Sequence, residues 1–382
     1  MNKVLITGGV GFIGVQVAML FVEQRRPVLL FDNLNRQIHG MVPDLSSLSL
    51  LKNPDVEVFR GDVRDASDWE KALDGVDCVI HLAAETGTGQ SMYEISHYVD
   101  TNTGGTAKLL NYLANRKHRV SKVILASSRS VYGEGAYHCE RCGVVYPPMR
   151  SEKILRSGRW EPQCPACQGQ VRAIATPEWA QTRPASIYAA TKLAQEDLVR
   201  VACEALGIAF VILRFQNVYG EGQSLKNPYT GIFSIFSNQI RANKTLNLYE
   251  DGQESRDFVH VVDVAHAVQL AVMGDGADGR TLNVGSGIPT TVEQIALLLI
   301  ERLGTAARPV VSGQFRHGDI RHGFADIAAL YGTLGYVPKI TLEQGLTRFV
   351  DWVKKQPVEP DRLETATHEL VCRNLMIPQR LM

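Results

Sequence analysis

The chain has 382 residues, with 40 Lys+Arg against 40 Asp+Glu, and this zero net charge argues against a protein built to bind nucleic acid or an acidic membrane. No apolar run reaches the roughly 18 residues of a membrane span, and no cleavable leader follows Met1, so a cytoplasmic protein with one large or two modest domains is expected. Of the seven cysteines, four form two Cys-x2-Cys pairs, which suits reduced thiols better than disulfides.

Val4-Leu5-Ile6 reads as a buried parallel strand. Gly8, Gly11 and Gly14 follow, in Thr7-Gly8-Gly9-Val10-Gly11-Phe12-Ile13-Gly14, and a helical pattern then runs through Val22. Glycines between a strand and a helix allow a tight turn, close approach of backbone N–H groups to a pyrophosphate, and close helix–strand packing. A second strand, 27–31, ends in Asp32, 18 positions after Gly14, where a carboxylate binds the adenosine ribose and repels a 2′-phosphate. NAD is therefore expected over NADP. Strands are expected at 56–63 and 77–84, with Cys78 and His81 in the core. Their alternation with helices predicts an α/β, Rossmann-type, doubly wound parallel sheet.

Between Ser128 and Tyr188 lie 59 residues that hold Cys139-x2-Cys142 and Cys164-x2-Cys167, separated by 21 residues. Four thiolates in this arrangement close around one tetrahedral Zn²⁺, as in a zinc ribbon, and leave no open position for catalysis. The segment, 135–175, is too short to bury a core of its own, so metal would stabilise it. Its ends lie near the active site, and a wall of the substrate pocket or an oligomer contact is expected. Arg141, Arg150, Lys153, Arg156, Arg159 and Arg172 make it locally basic, read as a solvated face before a nucleic-acid surface.

Tyr188 and Lys192 lie one helical turn apart on one face. An ammonium beside a phenol lowers a pKa that starts near ~10 and makes a usable general base. Alone, the spacing is ordinary packing. The helix 188–206 stops at Gly207, and 209–214 reads as another buried strand. After Gly220 the character changes, with Gly222, Asn227-Pro228 and Gly231 before a helix. Residues 281–287 look like a strand returning to the main sheet. Helices are expected at 291–303 and 341–354, and a surface-wrapping or partly mobile tail at 356–382 with Pro357, Pro360 and Pro378.

Together, Gly8 to Gly14, Asp62-Val63, His81-Leu82-Ala83-Ala84, Asn102-x2-Gly105-Thr106, Ser127-Ser128-x2-Val131-Tyr132-Gly133 and Tyr188-x3-Lys192 resemble the extended short-chain dehydrogenase/reductase family. Arg214-Phe215-x-Asn217-Val218-Tyr219-Gly220 and Arg256-Asp257-Phe258-Val259-His260-Val261-x-Asp263 narrow the resemblance to nucleotide-sugar epimerases and dehydratases. It covers most of 1–355. It implies an NAD-binding domain over 1–216, a smaller α/β nucleotide-sugar domain over 217–355 with 263–287 returning to the main sheet, and a homodimer through helices near 103–116 and 188–206.

By resemblance, Tyr188 is the base, Ser128 hydrogen-bonds the reacting sugar oxygen, and Lys192 binds the nicotinamide ribose. Gly8, Gly11, Phe12, Ile13 and Gly14 line the cofactor, as do Asp32, Asn33, Asp62, Val63, Leu82, Ala83 and Ala84. Asn102 supports the lysine. Asn217, Arg256 and Arg316 hold the diphosphate, with Arg321 and His322 as weaker candidates. Glu85 is either an acceptor for a sugar or ribose hydroxyl or a solvated loop carboxylate. Dehydratases follow the catalytic hydroxyl residue with Asp-Glu, and here those positions are Arg129 and Ser130. The resemblance thus implies an NAD-dependent 4-epimerase that passes through a 4-keto sugar, in polysaccharide biosynthesis. Relatives use about half the residues found here between the Ser and the Tyr, and the four-cysteine insertion resembles epimerases acting on dTDP-L-rhamnose; a UDP-hexose is the other candidate substrate. A sugar-nucleotide dehydrogenase or reductase, and a non-catalytic dinucleotide sensor that binds a partner through the ribbon, are the alternatives.

Overall fold

The computed structural model describes residues 3–40, 48–229, 231–359 and 363–377. The β-branched runs form β1 Val4–Thr7, β2 Val28–Asp32, β3 Val56–Arg60, β4 Cys78–His81, β5 Lys122–Ser128, β6 Ala209–Phe215 and β7 Arg280–Val284. All seven are parallel and lie in the order β7-β6-β5-β4-β1-β2-β3. The order reverses between β1 and β4, and a ligand crevice opens beyond the carboxyl ends of strands at such a switch point.

Alternation along each strand feeds two apolar layers. Val4, Ile6, Ile80, Ile124 and Val211 face α1, Phe12–Glu23, and α4, Val261–Met273. Leu5, Val79, Val123 and Ile212 face α2, Gly105–Asn115, and α3, Ile187–Leu206, with Trp69 beside them. Cys78 and Cys203 are buried one in each layer. Strands three and four are shorter than expected: β3 ends at Arg60 and β4 at His81. Gly61, Val63 and Leu82–Ala84 leave the sheet to line the crevice instead.

A second layer set carries Asn217–Tyr219, Ser255–His260, Pro289–Thr291 and His322–Gly323 in one small sheet. Helices Ile232–Arg241, Val292–Leu303 and Leu342–Val353 cover it around Tyr219, Phe233, Phe258 and Phe349. The last two helices open with Thr/Gln capping boxes at Thr291 and Thr341, which satisfy backbone donors at both starts.

The cysteine segment folds as three short antiparallel strands with Tyr137–Cys139 in the middle. Its own core is only Tyr137, Cys139, Val145 and Cys164. Ion pairs centred on two buried arginines tie it to the smaller layer set instead. Arg150 bonds Glu134 at 3.0 Å and Glu250 at 2.8 Å, and Arg321 bonds Glu161 at 2.7 Å and Asp251 at 2.6 Å. The expected solvated basic face is thus partly wrong, because Arg150 is buried, whereas Arg156 stays exposed beside Glu152. The tail follows the surface-wrapping alternative. Leu363–Cys372 is a helix whose Glu369 accepts from Tyr93 at 2.7 Å and Tyr229 at 3.0 Å, and Met376–Ile377 pairs with Phe315–Arg316. Pro360 and Pro378 lie outside the described residues.

Gly14 is fixed by packing: a Cβ there would meet the Gly8 carbonyl oxygen at 2.4 Å, whereas one on Gly332 in a surface helix meets nothing within 4 Å. Gly14→Ala should cost about 1–3 kcal/mol and lower the melting temperature, since close packing resists even one added methyl. Gly332→Ala should stabilise by up to about 1 kcal/mol. Thermal unfolding of both variants checks the pair, and equal effects would refute the packing account.

Candidate active site

Helix α1 begins at Gly11 with no side-chain cap, so its first N–H groups are free to meet an anion. Gly8 stands at φ +63°, which lets the turn close against Ala83, whose nitrogen is 3.0 Å from the position of a Gly8 Cβ. In front of this turn lies a cavity of about 330 Å³. Its walls include Gly8, Gly11–Gly14, Asp32, Asn33, Val63, Leu82–Glu85, Ser128, Tyr188 and Lys192.

Asp32 is buried at the end of β2 and accepts from Val10 N at 3.1 Å and Leu34 N at 2.9 Å. Asp62 sits beside the cavity rather than in its lining. Arg64 grips it in a fork at 2.9 and 2.7 Å and holds its carboxyl down at about 2, and Asn33 donates to it at 3.2 Å. Glu85 is no solvated carboxylate. Its Oε1 accepts from Asn35 at 2.8 Å and meets His97 at 3.1 Å, and its side chain is 13 % exposed.

Asn102 is fully buried on a π-helical turn, Val99–Gly104. It bonds both the N–H and the C=O of Glu85, at 2.8 and 3.1 Å, and donates to Thr191 at 3.0 Å. It therefore pins the Glu85 loop to α3, and reaches Lys192 only through its neighbour. His81 extends the same network between Thr7 at 2.8 Å and Thr106 at 2.9 Å. Thr106 spends its proton on the Asn102 carbonyl, so His81 donates from Nε2 and accepts at Nδ1. Burial, and then the Lys192 charge, hold His81 down at about 3, and it stays neutral.

Ser186 caps the start of α3, and Tyr188 follows within the first turn. The Ser128 hydroxyl is in hydrogen-bonding reach of the Tyr188 phenol. Burial pushes the Tyr188 pKa up, and the forces opposing it are the Ser128 hydrogen bond and the positive charge of Arg129. Lys192 is not among them. Its Nζ donates to the Ala126 carbonyl at 2.9 Å, and burial lowers its own pKa to about 7. Burial thus disfavours the charged form of Lys192, whose donor is aimed at β5.

Asn217, Arg256 and Arg316 stand outside this cavity, past Ser128. Asn217 Oδ1 accepts from Arg129 Nε at 2.8 Å. Arg256 is buried and donates to the carbonyls of Ser255, Arg321 and Ile320 at 2.8, 3.0 and 2.8 Å. Arg316 pairs with Asp319 at 2.9 Å and lies 4.8 Å from the Tyr249 ring. Arg321 and His322 are taken up by Glu161, so neither is a free phosphate contact. The four cysteine sulfurs lie within 4.8 Å of one another. The N–H groups of Cys167 and Ala166 point at the Cys164 sulfur.

Gln216, Gln223, Ser224, Ile38 and His39 also line the cavity, and the sequence reading singled out none of them. Gln216 was the unread position inside Arg214-Phe215-x-Asn217, and its Oε1 is buried without a partner in this structure. Ser224 donates to the Ile38 carbonyl at 3.1 Å and closes the loop after β2 onto the smaller layer set.

Residues 4–150 and 165–285 match the NAD dependent epimerase/dehydratase family, and the break falls inside the cysteine segment. A dTDP-L-rhamnose 4-epimerase from Burkholderia thailandensis is 36% identical over 357 residues, which cover 93% of this chain and 96% of that one. A UDP-glucose 4-epimerase from Thermotoga maritima, solved with UDP-glucose, superposes with a TM-score of 0.75 at 27% identity over 92% of this chain and 99% of that one. A UDP-glucuronic acid 4-epimerase from Bacillus cereus, solved with UDP-glucuronic acid and NAD, gives 0.75 at 26% identity over 92% and 99%.

The depressed Lys192 pKa makes a stability prediction. Unfolded, the group titrates near ~10.4; folded, it titrates at about 7. Between these values the unfolded chain binds the extra proton, so this group makes stability rise with pH. Below about pH 7 both states are protonated and the penalty is fully present. Lys192→Met removes the penalty, so its melting temperature should exceed that of the wild type at pH 6 and the gap should narrow towards pH 10. A gap independent of pH would sink the account.

Proposed function

The chain belongs to the NAD dependent epimerase/dehydratase family, and we infer that it is an NAD-dependent nucleotide-sugar 4-epimerase acting on dTDP-L-rhamnose. The observation that carries the reading is the Ser128–Tyr188 pair at the mouth of the cavity, with Arg129 and Ser130 where dehydratases place two acids. Ser130 is spent on Ser128, which its hydroxyl meets at 3.0 Å. Without that acid pair, simple oxidation and return is what the site supports.

The cavity suits NAD: uncapped N–H groups for the pyrophosphate, Asp32 for a ribose, and small Ala83 and Ala84 beside the Gly8 turn. NAD bound there accepts and returns a hydride at the sugar C4. The protein's part is proton handling and alignment. Tyr188 removes the C4 hydroxyl proton, Ser128 holds that oxygen, and Lys192 is packed to meet the nicotinamide ribose. The substrate assignment rests on the 36% identical dTDP-L-rhamnose 4-epimerase together with the cysteine insertion, the part by which substrate choice would differ from UDP-hexose enzymes.

Zn²⁺ fits the four thiols. They converge from two knuckles, and N–H donors face a sulfur as in a metal-binding turn. The metal would hold a segment whose own core is four residues, and that segment would act as a wall of the diphosphate site. Arg150 donates to the Asp319 carbonyl at 3.0 Å, and Asp319 in turn orients Arg316. A homodimer through α2 and α3 is supported by exposed Val201 and Val99 on that side. No described helix is long and apolar enough to cross a membrane.

Tyr188→Phe should lower turnover by at least ~10²-fold, the scale of lost general-base catalysis, with NAD binding kept. Deuterium at sugar C4 should survive interconversion with no net NADH; loss of label or accumulation of NADH would point to a different reaction. Metal analysis should give one zinc per chain, and chelation should raise KM for the nucleotide sugar more than it lowers kcat. Full activity and stability in a zinc-free chain would refute the wall.

A further inference from the structure

Three guanidinium groups cluster beyond the Ser128–Tyr188 pair, and their donors are not equally spent. Both terminal nitrogens of Arg256 are committed, to three carbonyls and, at 3.5 Å, to Asp319. Arg316 is paired with Asp319 through Nε at 3.1 Å and Nη2 at 2.9 Å. Arg129 makes one bond, from Nε to Asn217 Oδ1 at 2.8 Å. Among the described residues its two terminal nitrogens have no hydrogen-bond partner, and no carboxylate lies within ion-pair distance of it.

The guanidinium is nonetheless fixed. Asn217 holds Nε, and the Gly323 backbone flanks the other end, where a Cβ would stand 3.3 Å from Nη1. Arg129 is half-buried, and Arg256 is near enough to repel it: burial first, and then that charge, push its pKa down to about 9. A half-buried cation beside a second cation, with donors unspent, is costly unless an anion arrives. Asp257, another nearby carboxylate, is turned to Ser286, Gly287 and Ala325. Asp319 is the carboxylate that pairs with two of the three arginines, and Glu254 stands near Arg256 and Arg316, so neither carboxylate is spent on the Arg129 fork. The diphosphate bridge of a nucleotide sugar carries two negative charges.

We propose that Arg129 is a substrate-binding residue whose terminal guanidinium nitrogens grip the sugar-side phosphate of the nucleoside diphosphate and so tie that phosphate to the adjoining Ser128–Tyr188 pair. The proposal rests on the nucleotide-sugar reading and adds to it. A planar fork suits two phosphate oxygens, and Asn217 leaves that fork free by taking only Nε. Because Arg129 directly follows Ser128, phosphate grip and sugar alignment share one stretch of backbone. The residue stands where dehydratases place an acid, which would repel a phosphate.

The test is calorimetric titration of the NAD-loaded protein with dTDP and with dTMP, for the wild type, Arg129→Met and Arg129→Lys. Arg129→Met should weaken dTDP about 10–100-fold, the scale of lost charged hydrogen bonds. It should change dTMP less than about threefold, because only the terminal phosphate is affected. Arg129→Lys, with charge but no fork, should recover part of the dTDP loss and guards against a misfolded Met variant. In turnover, the acid limb of the kcat/KM profile should move to higher pH in Arg129→Met, since loss of the cation disfavours the Tyr188 phenolate. Equal losses for dTDP and dTMP, or none, with melting temperatures preserved, would overturn the proposal. A wild-type protein that binds neither dTDP nor UDP would instead overturn the nucleotide-sugar reading itself.

Discussion

Helix α3 buries a polar stripe, and satisfying that stripe is the constraint on which the rest of the site depends. Thr191, Lys192, Gln195 and Glu196 are all nearly inaccessible to water. They recur at helical spacing on the face that an ordinary amphipathic helix would fill with Leu and Val. Each buried polar group left alone would cost about 1–3 kcal/mol. All but one find partners: Asn102 meets Thr191, the Ala126 carbonyl meets Lys192, the Gln195 amide donates to Thr106 while its Oε1 stays unpaired, and Arg214 grips Glu196 in a fork at 2.9 and 2.7 Å. The partners come from a π-helical turn, α2, β5 and β6, so the stripe fixes four elements relative to one helix. Tyr188 sits at the end of that helix and inherits its rigidity. Binding geometry is bought here with desolvated charge, and the depressed Lys192 and raised Tyr188 pKa values are its signature.

The order of elements was legible in the sequence because each strand is short, apolar and bounded by turn residues. Gly8, Gly11 and Gly14 were legible because only glycine tolerates those contacts, and Asp32 because its place after the second strand is fixed by the topology. The ends of β3 and β4 were not, since nothing local to residues 61–63 or 82–84 says that a crevice rather than a neighbour strand awaits them. Nor was the charge that Arg129 adds near Tyr188. Spacing along a helix shows which side chains are adjacent, but not where an ammonium turns. Lys192 turns to a carbonyl of β5, and a cation acting on Tyr188 comes from Arg129, 59 residues upstream. The tail helix escaped for a similar reason, because Glu369 finds its partner Tyr93 some 276 positions away.

The cysteine segment shows how an insertion with almost no core stays ordered. It is held by two arginine-centred knots, a buried one in which its Arg150 meets Glu134 and Glu250, and one around buried Arg321, whose partners Glu161 and Asp251 stay partly exposed. Breaking one partner of such a pair costs about 3–5 kcal/mol, although an apolar replacement of the whole cluster need not. The ion pairs therefore serve position more than stability. Three successive carbonyls, those of Asp319, Ile320 and Arg321, accept from Arg150 or Arg256. The insertion thus holds the loop that carries Asp319, and through it the orientation of Arg316.

The two ends of the site have opposite electrostatics, and this sets the direction in which ligands lie. Asp32, Asp62 and Glu85 stand at the dinucleotide end, each committed through hydrogen bonds or ion pairs to neighbouring groups. That end would accept ribose hydroxyls and repel an added phosphate. Arg129, Arg256 and Arg316 stand at the other end with Asp319 between them. A bis-anionic diphosphate would be attracted there and repelled from the first end. Ser128 and Tyr188 lie at the boundary, where a group carrying its charge on one side only is aligned by both fields. A sugar attached to a diphosphate has that polarity, so the field of the whole site orients it before any contact with the sugar ring is made.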